Sequence, residues 1–111
     1  MGRVKIAIMI SGRGSNMEVI LTQAREGILC DCCEVVLVFA NRGSAAGLET
    51  AMAAGIPTAV IESRGKKRRQ FDGEVLALLE PLRPDYIVLA GYMRILSELF
   101  VEAYRGRIIN I

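Results

Sequence analysis

The chain has 111 residues, of which 52% are hydrophobic and 23% are charged, a composition that fits one folded α/β domain and excludes a disordered segment. The net charge of +2 is too small to indicate a nucleic-acid partner. The apolar runs are too short to span a membrane, and the first residues do not resemble a secretory leader. We therefore expect a cytoplasmic protein.

Apolar runs alternate with helical patterns along the chain. The patterns predict strands at 4–10, 35–39, 58–61, 86–90 and 107–111, and helices at about 17–26, 45–54, 67–82 and 98–104. The predicted helix caps are Ser15 or Asn16 for the first helix, Ser44 for the second and Ser97 for the last. Pro84 is expected to mark the end of the third helix.

The order of these elements predicts a Rossmann-like α/β fold, which is an open parallel sheet with helices on both faces and right-handed crossovers. In such sheets, ligands bind beyond the carboxyl ends of the strands, near the point where the strand order reverses. We therefore expect segments 12–16 and 91–96, which follow the first and fourth strands, to face one site. Asn110, near the end of the fifth strand, should face the same site.

Segment 11–16, Ser-Gly-Arg-Gly-Ser-Asn, joins the first strand to the first helix. Its two glycines allow a sharp turn, after which the N–H groups of the first helical turn point at one spot. The helix dipole places partial positive charge at that spot, so a phosphate is the expected occupant. Ser15 and Asn16 can add side-chain donors.

Three kinds of phosphate loop compete for this segment. A nucleoside-triphosphate loop is rejected because no lysine follows Gly14. A dinucleotide loop is weakened because Met17 replaces the third glycine and Asn41 replaces the expected acid, although Asn41 and Arg42 could suit the 2′-phosphate of NADP. A loop for one terminal phosphate needs neither feature and is favoured. A glycine turn that binds nothing stays open as an alternative.

Three cysteines, Cys30, Cys32 and Cys33, lie close together before the second strand. A zinc site would need a fourth ligand, and the chain has no histidine and no other cysteine. We interpret the cluster as free thiols in a reducing compartment and expect no metal.

Three segments resemble the glycinamide ribonucleotide (phosphoribosylglycinamide) formyltransferase family, folate-dependent enzymes of purine biosynthesis. They are Ile-Ser-Gly-Arg-Gly-Ser-Asn at 10–16, Leu-Ala-Gly-Tyr-Met-Arg-Ile-Leu at 89–96 and Ile-Asn-Ile at 109–111, and the likeness runs from end to end of the chain. The resemblance implies transfer of a formyl group from 10-formyltetrahydrofolate to the amine of 5-phosphoribosylglycinamide. The alternative is an NADP-type or other nucleotide-binding Rossmann module without formyl-transfer activity.

The resemblance also implies roles for individual residues. Gly14, Ser15 and Asn16 would hold the ribonucleotide phosphate, and Asn110 would be catalytic because its amide stabilises the oxyanion. The residues expected along the folate are Arg68, Arg94, Ile95 and Leu96. Without the resemblance, the basic run at 66–69 is equally well explained as a solvated helix start, and Asn110 as a residue that satisfies backbone groups.

The family pattern continues after Asn-Ile with His-Pro-Ser, whose histidine handles protons, and later supplies a catalytic aspartate. This chain contains no histidine. We therefore expect the N-terminal part of such an enzyme, a single domain over 1–111 that is cut at its active site and inactive alone. The expected partners are the two small-molecule substrates, with no nucleic acid and no membrane, and a homodimer stays open.

Overall fold

A computed structural model describes residues 3–27 and 31–111. The elements are β1 Val4–Ile10, α1 Ser15–Glu26, β2 Cys33–Ala40, α2 Gly47–Ala53, β3 Thr58–Val60, α3 Arg68–Leu79, β4 Tyr86–Leu89, α4 Glu98–Ala103 and β5 Ile108–Asn110. All strand pairs are parallel, and the strand order is β3-β2-β1-β4-β5. The predicted parallel α/β fold is confirmed.

Strand β1 occupies the centre of the sheet because its side chains are apolar toward both faces. Residues 6 to 10 are all buried, as expected for a strand that is covered by helices on both sides. Ile6, Ile8 and Ile10 pack with α1 and α2, whereas Ala7 and Met9 pack with α3 and α4. The two faces of this one strand therefore contribute to two separate hydrophobic cores.

The strand order reverses at β1, which pairs with β2 on one side and with β4 on the other. The loops after β1 and β4 consequently diverge to opposite faces and leave a crevice between them at the carboxyl edge. This is the position at which the sequence predicted a ligand site.

The predicted cap of the first helix is wrong, and that of the last helix is confirmed. Helix α1 begins at Ser15, and its N-cap is Gly14 in the left-handed conformation with φ of 67°. Neither Ser15 nor Asn16 caps it, because the turn needs a positive φ that glycine adopts most readily. Ser97 caps α4, and its hydroxyl accepts a bond from the N–H of Phe100 at 3.4 Å.

The second helix begins at Gly47 and not directly after Ser44, so the predicted cap at Ser44 is also wrong. The cause is a tertiary contact. The N–H of Gly47 donates to the carbonyl of Gly12 at 3.0 Å, and a Cβ on Gly47 would lie 2.7 Å from the Arg13 carbonyl oxygen. Packing against the loop after β1 therefore fixes where this helix starts.

The third helix ends at Leu79, before the predicted end near Pro84. Pro81 has no N–H with which to continue the helical hydrogen bonds, so the ladder stops two residues earlier. The bounds of β1 are as predicted, and those of the other strands differ from the predictions by one or two residues, most at β2, which starts at Cys33.

Cys30 lies outside the described residues. The Sγ atoms of Cys32 and Cys33 are 3.7 Å apart, and burial followed by the hydrogen bond with Cys32 raises the pKa of Cys33. Within the part of the chain that the structure describes, no group of three or more His, Cys, Asp or Glu residues could hold a metal ion. No helix among those same residues is long and apolar enough to cross a bilayer.

Candidate functional site

The loop after β1 presents backbone donors to solvent. Gly14 is the N-cap of the 12-residue helix α1 and has no side chain with which to cap the first turn. Ser15 and Asn16 are exposed at the start of that turn. An uncapped helix N-terminus combines free N–H groups with the positive end of the helix dipole, which makes it an anion site.

The loop conformation is held from behind. A Cβ on Gly14 would lie 3.3 Å from Ile10 Cγ2 and 3.3 Å from Met17 Cβ, so the loop packs closely on its own strand and helix. The hydrogen bond from Gly47 fixes the Gly12 carbonyl on the far side. The loop therefore packs closely against β1, α1 and α2, and these contacts set the position of its exposed backbone.

This loop and the segment after β4 line one cleft of about 330 Å³. Its lining residues are Ser11, Gly12, Arg13, Gly14, Ser15, Asn16, Arg42, Ala90, Gly91 and Met93. The structure thus brings the predicted phosphate residues together with the start of the predicted folate segment. A larger cleft, of about 530 Å³, lies at the amino edge of the strands, away from both segments, between the ends of α3 and α4.

Buried polar side chains connect the four loops at this edge. Ser11 Oγ donates to Asn41 Oδ1 at 2.7 Å and accepts from the N–H of Met93 at 2.7 Å. Asn41 Nδ2 donates to Ser63 Oγ at 3.0 Å. Arg94 Nη1 then donates to the carbonyl of Ser63 at 3.1 Å. Because Met93 and Arg94 are neighbours, these bonds close a circuit, which we call the polar ring.

Arg94 is turned into the protein. Besides its bond to Ser63, its Nη2 donates to the carbonyl of Lys66 at 2.8 Å, and the guanidinium lies 5.0 Å from the centre of the Phe71 ring. These contacts join the segment after β4 to the loop that precedes α3. The guanidinium that the family resemblance implies for the folate is thus engaged in contacts within the protein.

A second buried polar contact holds the same segment on α3. Asp72 is fully buried, and its Oδ2 accepts the N–H of Ser97 at 2.6 Å. Asp72 Oδ1 and Tyr92 Oη are buried and, among the described residues, have no hydrogen-bond partner. Burial, followed by the Asp72 carboxylate, raises the pKa of Tyr92 well above its usual range, so this phenol is neutral at ordinary pH.

The remaining predicted site residues lie on three elements. Arg68 is exposed at the start of α3, Ile95 is exposed, and Leu96 is half-buried against the core under α3 and α4. Asn110 is exposed in β5, where it pairs with Leu89. Leu89 in turn pairs with β1, so Asn110 lies two strand spacings, about 10 Å, from the central strand at the same edge.

The sequence did not reveal that Ser11, Asn41 and Ser63 form one network. Their bonds join residues 22 to 82 positions apart, so no local pattern reports them. A usable signal is that Ser11 and Asn41 each directly follow a buried apolar strand. Asn41 also counts against the NADP alternative, because the residue is 4% exposed and both ends of its side-chain amide form hydrogen bonds within the protein.

Comparisons with known proteins agree with this geometry. The formyl transferase family model matches residues 4–111. The chain is 42% identical over 110 residues to the trifunctional purine biosynthetic protein adenosine-3 of Drosophila pseudoobscura pseudoobscura, covering 98% of this chain and 8% of that protein. It is 40% identical over 109 residues to the phosphoribosylglycinamide formyltransferase of Escherichia coli (strain K12), covering 97% of this chain and 50% of that enzyme.

A solved structure is equally similar. The phosphoribosylglycinamide formyltransferase of Brucella melitensis superposes with a TM-score of 0.90 at 42% identity, over 98% of this chain and 56% of that one. The chain therefore spans about half the length of the single-function bacterial enzymes that it matches. The matching family model, the sequence identity and the shared fold agree, and the chain belongs to the formyl transferase family.

Proposed function

We propose that the protein carrying this chain transfers a formyl group from 10-formyltetrahydrofolate to the amine of 5-phosphoribosylglycinamide. The observation that carries the proposal is the shared cleft, in which an uncapped helix N-terminus and the segment after β4 face each other at the switch point of the sheet. The names of the bacterial relatives favour the same reaction. A cytoplasmic location and small-molecule partners belong to this proposal.

The ribonucleotide phosphate would bind at Gly14, Ser15 and Asn16. The backbone N–H groups of the first turn of α1 supply the donors, and the two exposed side chains add to them. Arg42 lines the same cleft and can contribute positive charge. This arrangement suits one terminal phosphate and needs neither a third glycine nor an acid after β2.

The folate would lie along the segment after β4. Met93 and Ile95 are 77% and 70% exposed there, so an aromatic heterocycle could cover apolar surface that now faces water. Arg94 would act through its backbone and by holding this segment in place, because its guanidinium already donates to Ser63 and Lys66. Arg68, exposed at the start of α3, can meet a carboxylate of the glutamate tail.

Asn110 would donate its amide N–H to the oxyanion that forms when the substrate amine attacks the formyl carbon. Its support is positional, since it is exposed at the carboxyl edge of β5, beside the segment after β4. Such a donor acts on charge that develops only in the transition state. The chain has no histidine, so no imidazole within it can accept the proton that the attacking amine releases.

The experiment compares two asparagines in the purified full-length protein. Asn110→Ala should lower kcat about a hundredfold to a thousandfold and leave ribonucleotide binding nearly unchanged, because an oxyanion donor stabilises only the transition state. Asn16→Ala, the matched control, should mainly raise KM for the ribonucleotide. A kcat for Asn110→Ala within a few-fold of the parent would remove Asn110 from the chemistry.

A nucleotide-binding module without transfer activity is the alternative, and two observations disfavour it. Met17 is fully buried where a dinucleotide loop has its third glycine, and the Asn41 amide is occupied in the polar ring. A measurement of NADPH binding distinguishes this alternative from the proposed function. Affinity for NADPH above that for the ribonucleotide would favour the alternative.

A further inference from the structure

We propose that the polar ring is a positioning device that links the two subsites, so that Ser63, which does not line the cleft, controls the phosphate loop. The inference rests on the proposed function for the identity of the ligands. Three side chains of the ring, those of Ser11, Asn41 and Ser63, are assigned to neither ligand in the proposed function. The ring passes through the loops after β1, β2, β3 and β4 in turn.

The ring is built as a closed unit. The residues Ser11, Asn41 and Ser63 are 2%, 4% and 8% exposed, so water cannot readily replace a lost partner. Asn41 uses its oxygen toward Ser11 and its NH₂ toward Ser63, so both ends of the amide are paired within the ring. The backbone supports the same path, since the N–H of Ser63 donates to the carbonyl of Asn41 at 3.1 Å.

Ser11 is the point where the subsites meet. Its hydroxyl accepts the N–H of Met93 and donates to Asn41, so a single oxygen sets the distance between the two segments that line the cleft. Ser11 directly precedes Gly12 in the phosphate loop. A displacement of this hydroxyl therefore moves both walls of the cleft together.

Ser63 gives the sharper test because it does not line the cleft. In Ser63→Ala, the buried Nδ2 of Asn41 loses its acceptor, and the amide must rotate or remain unpaired at a cost. Either response weakens the acceptor that orients the Ser11 hydroxyl. The disturbance then reaches Met93 and the phosphate loop through hydrogen bonds rather than through contact with a ligand.

The experiment measures amide hydrogen exchange of the purified full-length protein without any ligand. In Ser63→Ala, the Met93 amide should exchange at least about tenfold faster, as well as the amides of residues 63–66. Ser63→Thr, which keeps the hydroxyl, should restore slow exchange at Met93. Ser44→Ala, a control at an exposed serine near the same edge, should change neither rate.

Faster exchange confined to residues 62–66 in Ser63→Ala would overturn the proposal, because the ring would then not act as a unit. A second readout is binding of ribose 5-phosphate, which Ser63→Ala should weaken several-fold and Ser63→Thr should not. Unchanged affinity in Ser63→Ala would equally overturn the link. If the parent protein bound no ribose 5-phosphate, the proposed function would fail. The exchange rates would still test whether the polar ring acts as a unit.

Discussion

The two segments that line the cleft turn their polar groups in opposite directions. In the loop after β1, Ser15 and Asn16 are exposed, and the N-cap Gly14 makes no side-chain hydrogen bond, so the N–H groups of the first helical turn face solvent. In the segment after β4, Tyr92 and Arg94 point into the protein, and the apolar residues Met93 and Ile95 face solvent.

The contrast shows that the two walls of the cleft differ. The loop after β1 can bind a ligand with its backbone, whereas the segment after β4 is held in place by its polar side chains and exposes apolar surface. A charged residue in a family motif is readily taken for a ligand contact. Arg94 instead makes two hydrogen bonds and a ring contact within the protein. The expected consequences of disturbing the two walls therefore differ in kind.

The largest expected effect is on the loop after β1, the wall proposed to bind phosphate. Gly14→Val forces a β-branched residue to φ of 67° and places its Cβ 3.3 Å from Ile10 and Met17, so affinity for ribose 5-phosphate should fall at least about a hundredfold. Calorimetry provides the measurement. Gly106→Ala, a left-handed glycine with open space around it, should cost stability but leave the affinity unchanged. Equal affinity in Gly14→Val would show that this wall does not bind phosphate.

The next largest effects concern the segment after β4, where one substitution should change stability and another should change folate binding. Arg94→Met removes two charge-assisted hydrogen bonds and the contact with Phe71, so it should lower the free energy of unfolding by about 2 kcal/mol. Ile95→Ala changes an exposed side chain and should leave stability within about 0.5 kcal/mol while weakening folate binding. Denaturant unfolding and folate titration of both variants give the comparison. Full stability in Arg94→Met would contradict the structural role of the guanidinium.

The smallest effect concerns the buried phenol. Tyr92→Phe removes a hydroxyl without a hydrogen-bond partner among the described residues, so stability at pH about 7 should stay unchanged or rise by up to about 1 kcal/mol. Above pH about 10 the unfolded tyrosine loses its proton while the folded one, whose pKa is raised, keeps it.

Stability of the parent should therefore fall as pH rises through that range, and Tyr92→Phe should fall less. The measurement is the melting temperature at pH about 7 and about 11. Tyr86→Phe, at a residue 38% exposed, is the control for the loss of a phenol. If the melting temperatures of the parent and of Tyr92→Phe fell equally between the two pH values, the pKa of Tyr92 would be the same in the folded and unfolded states, which contradicts the prediction.

Local signals in the sequence predicted the strands, the helices and their order well. The run 6–10 is apolar at every position and rich in β-branched residues, as expected for a strand buried on both faces, and the two glycines that follow it indicate a turn. The same reasoning failed at the second helix, where the start is fixed by a bond from Gly47 to Gly12 and not by Ser44. Helix boundaries that depend on a distant backbone partner leave no mark near the boundary.

For the site, the sequence located both walls but not what holds them. The pattern at 11–16 predicts a backbone anion cradle because glycine and helix geometry are local properties. The inward turn of Arg94 depends on the Ser63 carbonyl, 31 positions away, and the polar ring depends on three buried side chains from separate loops. Such long-range hydrogen bonds follow from the tertiary fold alone.

The most direct test of the central claim, that both walls form one substrate cleft, is an amide NMR titration of the full-length protein with 5-phosphoribosylglycinamide. We predict that the largest shifts occur at Gly14, Ser15 and Asn16 together with Gly91 and Met93, and that all of them follow one binding constant. Shifts concentrated at the larger cleft around Glu80, Arg83 and Arg107, with the loop after β1 unmoved, would contradict the account.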